Sequence, residues 1–268
     1  MRNGLVDYSR LIAALAIVWF HTTAPGYMAA YAALPFFLVL LAISVRISPA
    51  ERARRLLMPF LIWSAVYGLQ FISDAIQRGE DLFGWVRPKM LVMGTSDHLW
   101  FLPYAFVAGL AAPYLMRWRL AILLPVLAAG ILALIGDTPR FPFYQWGFGL
   151  VPVLIGMVYI RSGLLALVPL VAAYVVLELF RPSPDNLVIL VGSALAIAVL
   201  SLRLPPTALS AWSARVSMWV YLGHILAVSQ LKAAGFTGAP LVIWSMAISL
   251  FLAVCIDLTQ QRLGLKRS

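Results

Sequence analysis

The residues best placed to do chemistry lie in the first apolar stretch. Arg10 and His21 sit in Val6-Asp7-Tyr8-Ser9-Arg10…Val18-Trp19-Phe20-His21, which otherwise reads as one hydrophobic helix. Their spacing of eleven residues is about three helical turns, so they share a face, about 16 Å apart along the axis. Asp7, three residues before Arg10, lies close to that face. Ionisable groups are costly inside a bilayer, so such a stripe calls for a partner, a cavity or a function. One reading is an anion site at Arg10 with His21 deeper as a base, a role that suits a neutral imidazole. The other is an interfacial arginine paired with Asp7 and a histidine at the outer helix end.

Three further groups stand out. In Glu51-Arg52-Ala53-Arg54-Arg55-Leu56-Leu57-Met58-Pro59, Arg52 and Arg55 are three apart and would share a face of a helix. Guanidinium groups match phosphate oxygens in a bidentate fork, which would suit a phosphorylated substrate. On spacing alone the cluster reads as a topology determinant contacting anionic headgroups. In Asp97-His98-Leu99-Trp100-Phe101-Leu102-Pro103-Tyr104, the ring side chains fit an interfacial aromatic belt, or else His98 and Trp100 line an outward-facing mouth. In Trp219-Val220-Tyr221-Leu222-Gly223-His224, His224 falls inside an apolar run and is expected to face the bundle interior. A helix–helix hydrogen bond would also account for it.

The elements that carry these groups are apolar. The chain has 268 residues, 63% of them hydrophobic and 11% charged. Ordinary soluble domains are about 25% charged, so the class is a polytopic, all-α membrane protein. A span needs about 20 apolar residues. Ten candidates follow, at 5–24, 28–46, 57–75, 99–116, 119–136, 144–161, 163–180, 186–203, 213–231 and 240–258. Turn chemistry separates them, as at Ala24-Pro25-Gly26, Asp137-Thr138-Pro139-Arg140 and Arg181-Pro182-Ser183-Pro184. We expect one domain over 1–268, with the N-terminal stretch an uncleaved first span. With the N-terminus inside, Arg78, Arg87, Lys89, Arg140, Arg181 and Lys232 fall outside, and the other fourteen of the twenty Lys and Arg fall inside. That bias predicts both termini inside.

The formal charge of +10 is spread over short loops, which argues against nucleic acid as a partner. The single cysteine, Cys255, rules out an internal disulfide and a multi-cysteine metal site. No paired-histidine spacing suggests zinc, so no metal is expected. No Gly-x-Ser-x-Gly elbow, Walker A or Gly-x-Gly-x-x-Gly motif is present.

Taken in order, the four groups resemble the integral-membrane acyltransferase-3 family. Arg10 followed by ten residues and His21 resembles its Arg-x10-His signature, and Arg52-Ala53-Arg54-Arg55 its Arg-x-x-Arg motif. His98-Leu99-Trp100-Phe101-Leu102 resembles its His-Leu-Trp-Phe-Leu stretch, and Tyr221-Leu222-Gly223-His224 its late Tyr-Leu-x-His element. All three histidines of the chain fall within these motifs. The resemblance implies a ten-helix enzyme of the bacterial inner membrane. It would move an acyl group, most commonly acetyl, from cytoplasmic acyl-CoA to a hydroxyl of a glycan, a lipid-linked sugar or a small acceptor. Acyl-CoA would be a co-substrate, with no tightly bound cofactor. His21 would be the catalytic histidine, with Asp7 in the same group, steadying Arg10. Arg10, Arg52 and Arg55 would bind the donor, and His98, Trp100, Tyr221 and His224 would shape the acceptor side. The short outer loops make an extended acceptor platform doubtful. The rival from another class is a secondary transporter or flippase for an anionic or lipid-linked substrate, although no internal repeat supports it.

Overall fold

A computed structural model describes residues 2–42, 47–81, 86–115, 117–118, 120–136 and 141–264. The basic residues Arg46, Arg119, Arg140, Lys266 and Arg267 of the charge tally, and the turn Asp137-Thr138-Pro139-Arg140, lie outside the described residues. Every regular element among the described residues is helical, which agrees with the all-α expectation.

Among the described residues twelve α-helices follow in order: α1 (Gly4–Thr22), α2 (Tyr27–Ala30), α3 (Ala33–Leu41), α4 (Pro49–Arg78), α5 (Met90–Met93), α6 (Phe101–Leu115), α7 (Leu124–Ile135), α8 (Phe143–Ser162), α9 (Leu167–Phe180), α10 (Pro184–Ser201), α11 (Ala208–Ala233) and α12 (Gly238–Arg262). Each of the ten apolar stretches contains helix, but among the described residues five segments are long and apolar enough to cross a membrane. These are Gly4–Thr22, Pro49–Arg78, Phe143–Phe180, Pro184–Ser201 and Gly238–Arg262. The third of them is not one straight rod: Gly163, at φ 59° and ψ −136°, ends α8 before α9 begins. α11 has the length of a span, but its serines, Arg215 and His224 dilute its apolar run. Large apolar side chains stand exposed along several helices, including Leu61 and Leu69 of α4, Leu134 of α7, Leu179 of α9 and Phe251 of α12. In water so much exposed hydrocarbon would drive aggregation, whereas in lipid it costs nothing.

The chain divides into two compact units. Met1–Phe37 with Pro184–Ser268 forms the first, and Leu38–Ser183 the second.

In the first unit α1, α11 and α12 pack on one another. Asn3 starts α1 as its N-cap, accepting from the Leu5 N–H at 3.1 Å and the Leu204 N–H at 3.2 Å, while its amide donates to the Leu202 carbonyl at 2.7 Å. A capping box between Thr207 and Ser210 starts α11. The buried face of α12 is the stripe Leu241, Ser245, Ser249, Ala253 and Asp257, one residue per turn. Its small members let the backbones approach, as helix contacts in lipid require. Asp257 closes the stripe by accepting from the Arg215 Nε at 3.1 Å and the Gln261 Nε2 at 2.7 Å.

In the second unit α4 packs on α6, and α7 packs on α8 and α9. α4 begins earlier than the apolar pattern alone suggests, because Ser48 caps it and Pro49 takes its first turn. The three arginines of the second motif therefore lie inside the helix, in its first two turns.

Candidate functional site

The first and fourth motifs meet in the first unit. His21 closes the last turn of α1, and its ring centroid lies 4.9 Å from that of His224 on α11. His224 is fully buried, as its apolar setting led us to expect. Its Nδ1 donates to the Tyr221 carbonyl at 2.5 Å. That bond settles the neutral tautomer, leaving Nε2 with its lone pair as an acceptor. The Tyr221 ring lies 5.8 Å from the same imidazole, and Phe20 meets His21 edge-on at 5.0 Å. Lys232, read from the sequence only as a loop cation, donates to the His21 carbonyl at 3.1 Å. A cation at the negative end of α1 is favourable, and this one holds the helix end that carries the imidazole. No sequence spacing signals that contact, since the two residues are far apart in the chain.

Arg10 differs from expectation in its partner. The buried Asp7 carboxylate takes the Arg2 Nε at 2.6 Å, rather than holding Arg10 directly. The reason is geometric. Arg2 precedes the helix and can reach back to a carboxylate in its first turn, where Asp7 also complements the helix dipole. Arg10 feels Asp7 and Arg2 electrostatically. Among the described residues its half-buried guanidinium makes no hydrogen bond and no ion pair.

The second and third motifs both lie in the second unit, on the packed pair α4 and α6. Arg52 and Arg55 lie three residues apart in α4, the helical spacing expected of them, but their environments differ. Arg52 is 2% exposed and lies against Gly109 of α6, whereas Arg55 is exposed and pairs with Glu51 one turn back. A Cβ at position 109 would fall 1.9 Å from the Arg52 Nη1, so only glycine leaves room for this guanidinium. Three arginines at the positive end of a helix dipole do not favour the helix itself; an anion there offsets the repulsion.

His98 and Trp100 are buried rather than exposed at a mouth. They belong to a short 3-10 turn, Asp97–Trp100, that leads into α6. His98 shares a hydrogen bond of 2.9 Å between its Nδ1 and the Ser96 hydroxyl, and meets the Tyr67 ring edge-on at 5.1 Å. Trp100 packs 5.6 Å from Tyr104, which packs 5.5 Å from Trp146 of α8.

This aromatic cluster contains a feature that the sequence does not announce. The Tyr104 hydroxyl, the Trp146 Nε1 and the Gln145 Oε1 are buried without a hydrogen-bond partner among the described residues. Each such group costs about 1–3 kcal/mol if nothing meets it. The Tyr104 and Trp146 groups sit on rings that meet edge-to-face at 5.5 Å, and polar groups so placed suit a hydroxyl-bearing ligand. Tyr104→Phe removes a hydroxyl that bonds to none of the described residues. The expected result by thermal melting is a stability at least equal to wild type, higher by up to about 1–3 kcal/mol, since a buried unmet group is removed and no intramolecular bond is lost. A large drop in melting temperature would show that the hydroxyl is already satisfied within the protein.

No groups of three or more His, Cys, Asp or Glu among the described residues are placed to hold a metal ion. No family model, curated protein or solved structure matches the chain.

Proposed function

We propose that the protein is a membrane O-acyltransferase of the acyltransferase-3 type, moving an acyl group, acetyl foremost, from acyl-CoA to an acceptor hydroxyl. The observation that carries this reading is the meeting of His21 and His224 from opposite ends of the chain, 4.9 Å apart in the unit that holds Arg10. Two imidazoles in contact, one with its tautomer set by Tyr221, are poor packing material but a good proton relay. In this reading the ten apolar stretches cross the inner membrane of a bacterium ten times, with both termini inside.

The step begins with an acceptor hydroxyl beside His21. An imidazole nitrogen of His21 takes the hydroxyl proton as the oxygen attacks the thioester carbonyl carbon. The C–O bond forms, the C–S bond breaks, and the leaving CoA thiolate recovers the proton from the imidazolium. His224 acts as a positioning residue through its Nε2 acceptor. Arg10 is the guanidinium within α1 that awaits an anionic or carbonyl oxygen of the donor. Arg52 and Arg55 hold CoA phosphates. Asp7 keeps its place through Arg2 and takes no proton. Tyr221 serves the acceptor within the first unit, and within the second His98 and Trp100 do so, with the unsatisfied Tyr104 and Trp146 groups.

The test is transfer of radiolabelled acetyl from acetyl-CoA to membrane glycan extracts by the purified full chain. Label in the acceptor supports the enzyme, and its absence with every extract refutes it. Arg10→Gln should raise the KM for acetyl-CoA about tenfold, the value of one charged hydrogen bond, and leave the acceptor KM unchanged. Equal effects on both would remove Arg10 from the donor side.

A further inference from the structure

A cavity of about 520 Å³ lies within the second unit, lined by Phe71, Arg87, Pro88, Lys89, Met90, Met93, Thr95 and Asp97. That volume is within the range of about 300–1,000 Å³ typical of small-molecule sites. Its chemistry is mixed. Phe71, Met90 and Met93 supply an apolar wall, and Arg87 and Lys89 supply two cations. Neither cation forms an ion pair with any described residue, Asp97 included. The Arg87 Nη1 donates to the Val86 carbonyl at 3.1 Å, which leaves its other N–H groups and the exposed Lys89 ammonium to a ligand.

The frame beneath them is built. Thr95 donates its hydroxyl to the Ser64 carbonyl at 2.6 Å, pinning the segment to α4. Gly94 turns at φ +71°, and a side chain there would strike Ser64 and Leu99. The adjoining Met93 is 3% exposed, so the wall is anchored from inside. Asp97 opens the 3-10 turn that carries His98 and Trp100, so the cavity adjoins the third motif within the same unit.

We infer that this cavity recognises a phosphorylated, hydroxyl-bearing amphiphile, with Arg87 and Lys89 on the phosphate, Asp97 on a hydroxyl, and Phe71, Met90 and Met93 against its apolar part. Guanidinium and ammonium groups take phosphate oxygens through charge-assisted bonds. The Asp97 carboxylate in the same lining disfavours a bare polyanion and favours a ligand that also brings donors. The apolar wall takes a hydrocarbon part or the C–H face of a sugar ring. The inference rests on the acyltransferase reading in one respect: it makes this ligand the acceptor, so the acyl group passes to a phosphorylated molecule.

The phosphate has two sources, a soluble sugar phosphate or a membrane-anchored phospholipid-like carrier. The purified full chain in phosphatidylcholine nanodiscs is titrated with radiolabelled glucose 1-phosphate by equilibrium dialysis. A second arm uses nanodiscs containing a polyprenyl phosphate sugar, with bound lipid counted after affinity capture. Wild type should bind in one or both arms, and the arm that binds names the source. The Arg87→Gln/Lys89→Gln variant should weaken that binding about tenfold or more, as loss of charged hydrogen bonds predicts. The Arg87→Lys/Lys89→Arg variant should retain binding, which separates lost charge from lost folding. No binding in either arm, or binding that the glutamine variant leaves intact, overturns the inference. Labelled acetyl-CoA binding on the same preparations reports on the acyltransferase proposal separately, because Arg87 and Lys89 have no part in holding the donor.

Discussion

His21→Ala should lower acetyl transfer by about 10²–10⁴-fold, the usual contribution of a positioned general base. The loss should appear in kcat with the KM for acetyl-CoA little changed, because His21 is assigned to the proton and not to the phosphates. The variant should still express and melt as a folded protein, since His21 is only half-buried and its backbone carbonyl keeps the Lys232 contact. Single-turnover transfer measured in detergent decides the matter. A variant that folds and still transfers at the wild-type rate would falsify the catalytic assignment. His224→Ala offers a comparison. If His224 only positions its neighbour, its loss should cost less than that of His21 and should distort the pH profile of the remaining rate.

Gly192→Ala should destabilise the first unit by about 1–3 kcal/mol, the usual cost of overpacking a tight contact. Gly192 sits on the buried face of α10, and a Cβ there would fall 2.2 Å from the Ala32 carbonyl oxygen and 3.0 Å from the Pro35 Cβ. The first neighbour is backbone and cannot swing aside as a side chain could. The chain must therefore separate there, losing van der Waals contact, which is the main attraction between helices in lipid. Thermal melting in a mild detergent should show the drop. An unchanged melting temperature would mean that α10 and the segment at Ala32 are free to shift. Gly130 serves as control, since no atom lies near its added Cβ.

The long apolar helices and the helical class were legible in the residues, because hydropathy is a sum over neighbours in the chain. The four chemical motifs were legible for the same reason: each is a local spacing. His224 shows how far that reaches, since an imidazole in an apolar run has little choice but to face inward. The number of segments with the full character of a span was not legible, because it depends on where each helix begins and ends. Ser48 and Pro49 extend α4 past its apolar core, while the two stretches that the sequence divides near residue 162 make one long apolar segment, Phe143–Phe180, with α8 ending at Ser162 and α9 starting at Leu167.

Partner choice lay further still from the sequence. Asp7 and Arg10 have the spacing of a helical pair, yet Asp7 bonds Arg2, which approaches from outside the helix. Arg52 and Arg55 look equivalent, yet a glycine on another helix buries one and leaves the other in the open. The amino-acid order by itself settled which segments are helical and which residue types are available for chemistry, since both follow from interactions within a few positions. Which imidazoles touch, which guanidinium lacks a protein acceptor and which polar atoms stay unsatisfied were decided only by the tertiary structure, because each depends on segments far apart in the chain coming within a few ångströms.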